Sequence, residues 1–122
     1  MERYKPEQRE NIMDEELGDL IRNLSETTGD KIPIELIDGT YEIEADNFTL
    51  TFTTDEEVFE IRNIDVRDSV GLGRQIINAI HDYADNSDLE VLASNVLGTA
   101  RGFWETMGYQ EGETQNEYFR VT

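Results

Sequence analysis

The sequence predicts a single α+β domain whose mixed, mainly antiparallel sheet of about six or seven strands is flanked by helices. Three observations carry this. The apolar period switches between helical and two-residue spacing, a meander precedes a strand–helix–strand crossover, and a short hairpin closes the pattern. At 122 residues the chain can build one core, and residues 1–122 show no repeat or linker that would divide them.

The elements follow in order. Residues 7–28 read as one amphipathic helix, with Met13, Leu17, Leu20, Ile21 and Leu24 at helical spacing, acids opposite and Gly29 at the stop. Ile32, Ile34 and Leu36 then alternate up to Asp38-Gly39, a strong two-residue hairpin signal, and Tyr41, Ile43 and Ala45 alternate back. Asp46-Asn47 turns the chain into Phe48, Leu50 and Phe52, with threonines between them, and Thr54-Asp55-Glu56 turns it again into residues 58–66. In that last strand the parity slips: Phe59 and Ile61 are odd, Ile64 and Val66 even. Either a β-bulge near Arg62-Asn63 or a strand buried on both faces accounts for the slip.

Leu72, Ile76, Ile80 and Tyr83, with Ile77 and Ala84 beside them, give a second helix. Leu89, Val91 and Ala93 form a short strand, parallel to its predecessor because a helix crosses between them. Ala100, Phe103, Trp104 and Met107 form a third helix that Gly108 stops. Tyr109 and residues 118–121 make a terminal hairpin around Glu111-Gly112.

Composition excludes several functions. The chain has 28 acidic and 10 basic residues, a net charge of −18, yet its 37% hydrophobic residues fall in periodic clusters, unlike a disordered acidic tail. With no cysteine and one histidine, thiolate chemistry and a histidine metal site are not expected. No apolar run approaches the roughly 18 residues of a membrane span, and the first residues lack the apolar stretch of a secretory signal. The expected setting is therefore cytoplasmic, and Asn23-Leu24-Ser25 and Asn47-Phe48-Thr49 are discounted as glycosylation sites.

Two explanations of the charge compete. One is a high-salt cytoplasm, where carboxylates hold water and lysine is avoided; only Lys5 and Lys31 are lysines. The other is mimicry of duplex DNA. The spread of acids along the chain argues against a simple acidic tail, and a ligand-like motif within the chain favours the first. Either way, an acidic surface argues against direct nucleic-acid binding.

That motif is a strand running through Ile64, Asp65 and Val66 into Val70-Gly71-Leu72-Gly73-Arg74, where a helix opens. A glycine turn at this point leaves N–H groups free, and the helix dipole favours an anion there. Residues 66–77, together with the late helix Ala100-Arg101-Gly102-Phe103-Trp104-Glu105-Thr106-Met107-Gly108-Tyr109, resemble the GNAT superfamily of acyl-CoA-dependent N-acetyltransferases. The resemblance covers residues 57–122 and implies acetyl-CoA or another acyl-CoA as cosubstrate, no metal, and a small amine or protein amino group as acceptor. It leaves the oligomeric state open, a dimer included.

On individual residues, the resemblance implies that the backbone of Val70, Gly71, Leu72, Gly73 and Arg74 cradles the pyrophosphate. The pantetheine arm would lie between splayed strands at residues 63–66 and 93–95, with Ile64, Asp65, Val66 and Asn95 around it. The backbone near Ile64 would polarise the thioester carbonyl, and Phe103 and Trp104 would pack at the thiol end. Glu60 is the first candidate for the base that frees the amine, ahead of Glu57 and Asp65, and Tyr109 and Tyr118 are candidate phenols for the leaving thiolate. His81 reads as a surface residue. Two departures, Asp68 where the family usually has Gln or Arg and Trp104 where many members have Tyr, support an alternative. In that alternative the chain is a catalytically inactive binding or regulatory module.

Overall fold

The computed structural model describes residues 6–29, 31–67, 71–114 and 116–121, with side chains from Leu17 onward. Met13, Asp68 and Val70 therefore lie outside the described side chains. The chain runs α1 (Pro6–Thr28), β1 (Ile34–Ile37), β2 (Thr40–Glu44), β3 (Phe48–Thr54), β4 (Val58–Val66), α2 (Leu72–Ser87), β5 (Glu90–Ala93), α3 (Arg101–Thr106), β6 (Tyr109–Glu111) and β7 (Tyr118–Arg120). One seven-stranded sheet holds all the strands, in the order β1-β2-β3-β4-β5-β7-β6. Only the β4–β5 pair is parallel. The fold is the α+β class that the periodicity predicts.

Local chemistry sets the turns. Asp38 and Gly39 both take positive φ, 51° and 81°, the twist that matches a two-residue hairpin. At the β3–β4 turn, Asp55 Oδ1 accepts the N–H groups of Glu57 and Val58 at 2.7 and 2.8 Å, which holds its carboxyl below the usual range.

One sheet face carries the core. Ile43, Phe48, Leu50, Phe52, Phe59, Ile61, Val91 and Ala93 are buried there against Leu17, Leu20 and Leu24 of α1 and the apolar stripe of α2. Each such aliphatic or aromatic side chain contributes about 1.5–3 kcal/mol by leaving water. The outer face alternates with it and carries exposed or half-buried Thr49, Thr51, Thr53, Glu60, Leu92 and Phe119.

Between the two readings of the parity slip, the structure selects the bulge. Thr51 pairs with Asn63 and Phe52 with Ile61, so Arg62 is an extra residue with no partner on β3. The slip thus returns Ile64 and Val66 to the core face, as Phe59 and Ile61 were before it. His81 requires a correction. It is 8% exposed, and its Nε2 lies 2.8 Å from the Tyr109 hydroxyl. The β7 strand inserts between β5 and β6, and that placement brings the Tyr109 ring over α2.

Candidate functional site

The β4 strand outruns β5. Their pairing ends at Ile61↔Ala93, with one last bond from the Ser94 N–H to Ile61 O at 2.9 Å. Residues 62–66 keep β3 on one side only. The Arg67 N–H donates to Asn47 O, so Arg67 and Asp65 turn their backbone groups toward β3. Ile64 and Val66 alternate with them and turn theirs to the side where β5 has ended. Past Ala93 the chain leaves the ladder, with Asn95 at φ 56°.

A cavity of about 680 Å³ fills the gap. Ile61, Ile64, Val66, Val96, Phe103 and Trp104 form its apolar walls, and Arg62, Asn63, Ser94 and Asn95 border it on the polar side. Residues of both sheet faces line it, so the cleft crosses the plane of the sheet. Its volume lies in the range of small-molecule sites. Trp104 is 3% exposed and fixed edge-on between Phe103 and Tyr109, with ring centroids 5.3 and 4.8 Å away.

Gly71, Gly73 and Arg74 stand at one end of the cleft. Gly71 caps α2 at φ 86°, a conformation that glycine takes without strain, and among the described residues no side chain caps the helix. Among those residues the first-turn N–H groups of α2 are left without a side-chain acceptor. No acid occupies that first turn, although the chain holds 28 of them and the helix dipole would welcome one. A Cβ on Gly73 would meet the Phe103 ring at 3.5 Å, ordinary contact that nonetheless takes space from the cleft floor. Arginines 22, 62, 67, 101 and 120 each lie within ion-pair reach of a carboxylate; Arg74 has no such partner among the described residues.

The structure brings Ile64, Val66, Gly71, Gly73, Arg74, Asn95, Phe103 and Trp104 together around this cleft. Other candidates lie elsewhere. Leu72 is 7% exposed and faces the core, and the Asp65 side chain is exposed, ion-paired with Arg67 at 3.2 Å. Tyr109 does not line the cleft; burial pushes its phenol above the ordinary tyrosine pKa, and its hydroxyl is occupied by His81. Tyr118 is 1% exposed and its hydroxyl accepts a bond from Arg101 Nε at 2.8 Å. Val70 is outside the described residues.

Glu60 sits on the outer face, where Ser94 Oγ donates to its Oε2 at 2.8 Å. Ser94 lines the cleft and Glu60 does not, so the bond links the cleft wall to the outer sheet face. Sequence reasoning passed over Ser94. The strand parity held the signal: Val91 and Ala93 point to the core, hence Leu92 and Ser94 point outward.

Behind the Trp104 wall, burial and repulsion from Arg120 hold His81 down at about pKa 4, against the pull of Asp85 and Asp82. Arg120 donates to Asp85 at 2.8 Å, which ties β7 to α2 and lowers the Asp85 carboxyl.

No protein-family model and no curated protein matches the chain. Among solved structures it is similar to the crystal structure of anti-CRISPR protein AcrVA5, at 15% identity and a TM-score of 0.58, over 68% of this chain and 99% of that one. At this identity the likeness is one of fold.

Proposed function

We propose that the chain is a GNAT-type N-acetyltransferase that binds acetyl-CoA in the cleft between β4 and β5 and transfers its acetyl group to an amine. The observation that carries the reading is the early end of β5. It leaves the backbone groups of Ile64 and Val66 without a sheet partner along an apolar cleft, which the N-terminus of α2, uncapped by any described side chain, also lines. A pantetheine arm carries amides that match such a strand edge, and a diphosphate matches the α2 amides. Arg74, which has no carboxylate partner among the described residues, adds a cation beside it.

The chemistry follows from the two sides of the cleft. Backbone N–H near Ile64 stabilises negative charge on the thioester oxygen as the amine adds. Glu60 takes the ammonium proton, directly or through Ser94; the amine nitrogen then forms the amide bond and gives its second proton to water as the C–S bond breaks. Neither Tyr109 nor Tyr118 lines the cleft, so the thiolate takes its proton from water.

Exposed carboxylates occur on helices, turns and strands alike (Glu26, Asp46, Glu57, Asp82, Glu90 and Glu113 among them), which supports salt adaptation over DNA mimicry. Titration with acetyl-CoA tests the reading, followed by the fluorescence of Trp104, the only tryptophan. Binding is expected to change the emission, and Arg74→Gln to weaken it roughly threefold to tenfold. A folded protein that gives neither heat nor a fluorescence change at millimolar acetyl-CoA rejects it and favours the non-catalytic module.

A further inference from the structure

Beside Ser94, which lines the cleft, the outer sheet face carries a row of side chains that crosses four strands. Glu60 on β4 pairs in register with Leu92 on β5, Leu92 with Phe119 on β7, and Phe119 with Gln110 on β6. Thr53 of β3 flanks Glu60 on the other side. Cross-strand partners share a face, so these side chains lie side by side. Leu92 is half-buried, and Phe119 is 41% exposed, one of few large apolar side chains on the described surface.

Glu60 is poised at the end of this apolar strip. Its Oε2 accepts from Ser94 and forms an ion pair with Arg62 Nε at 3.9 Å, too long for a hydrogen bond, while its Oε1 has no hydrogen bond among the described residues. A carboxylate oriented by a hydroxyl, with one oxygen free, complements an ammonium. A leucine and a phenylalanine in the next two strands, spanning ~10 Å, complement hydrocarbon. Neither half by itself selects a ligand; the adjacency does.

We propose that this row is the acceptor subsite and that its ligand is a primary ammonium carried on an apolar body. The ammonium meets Glu60 beside Ser94, and the body lies over Leu92 and Phe119. The assignment of an acceptor role rests on the acetyltransferase reading; the binding itself does not. An arylalkylamine and a peptide whose first residue is apolar share this chemistry.

Chemical-shift mapping tests it on the whole chain, without cosubstrate. Phenethylammonium is expected to shift the amides of Leu92, Ser94 and Phe119 saturably, and to bind at least tenfold more tightly than ethanolammonium. Phe119→Ser and Glu60→Gln should each weaken phenethylammonium about tenfold, with Leu92→Thr as a second probe if Phe119→Ser loses its far-UV dichroism. A Phe-Ala dipeptide and its N-acetylated form separate the two sources: binding of the free form alone marks a peptide N-terminus, and preference for the simple amine marks a small molecule. Equal binding of the two ammonium ions overturns the proposal. So does a dimer in sedimentation that Phe119→Ser dissolves, because the strip would then be covered by a second copy. If the amine binds and acetyl-CoA does not, the acetyltransferase reading falls and the ammonium subsite stands; the reverse result sinks the subsite alone.

Discussion

The two halves of β4 have different fates. Val58 to Ile61 is paired on both sides, to β3 and to β5, and sends Phe59 and Ile61 into the core at 0% and 1% exposure. Residues 62–66 are paired to β3 alone, and Ile64 and Val66 line a cavity. Arg62 sits at the boundary as the bulged residue. One strand thus serves both as a structural staple and as the wall of a site. What frees the second half is the length of the neighbouring strand, since a backbone edge becomes available for recognition only where its partner stops.

Three experiments would break or sharpen that contrast. The largest effect is expected in the paired half. Phe59 stacks on Phe52 at 4.6 Å with no exposure, so Phe59→Ala should cost about 3–5 kcal/mol in urea unfolding. A cost below ~1 kcal/mol would mean that the lower half is no better packed than the upper.

The second concerns the wall behind the cleft. The folded pKa of His81, about 4, lies below its ordinary value of 6.5, so the fold favours the neutral ring. Its contribution is complete above pH 6.5 and is lost as pH falls toward 4, on the order of 2–3 kcal/mol in all. His81→Gln keeps a polar partner for Tyr109 and removes that titration. Wild-type stability should therefore drop more steeply than the variant's between pH 6.5 and 4, by about one proton in the slope. Parallel curves would show that the ring charges without penalty.

The third separates site from scaffold. Deleting Arg62 removes the one residue that lacks a partner on β3 and leaves Thr51↔Asn63 and Phe52↔Ile61 adjacent in a regular ladder. Stability should change by no more than ~1 kcal/mol, while acetyl-CoA affinity falls at least tenfold, or about 1.4 kcal/mol. Unchanged affinity would show that the bulge does not shape the cleft.

Much of the architecture was legible because it is written in short-range patterns. The Asp38-Gly39 hairpin and the Gly108 stop follow from a few neighbouring residues, the parallel crossover follows from a helix set between two strands, and the parity slip narrowed residues 58–66 to two readings, of which the structure selected the bulge. The site was legible in part, for the glycine turn and the β4 side of the cleft. His81 was misplaced although it lies four residues after Ile77 and three before Ala84, both on the buried stripe of α2. A polar residue at a stripe position reads as a surface break unless a distant partner is known, and here that partner, Tyr109, is 28 residues away.

The sequence by itself determined the elements, their turns and the face that each strand buries, because those depend on backbone sterics and on periods of 2 and 3.6 residues. Tertiary structure alone decided that β7 enters between β5 and β6, that β5 stops short of β4, and that Tyr109 closes over His81. These depend on which distant surfaces bury the most apolar area together while leaving no polar group unpaired, a balance that no local window of residues contains.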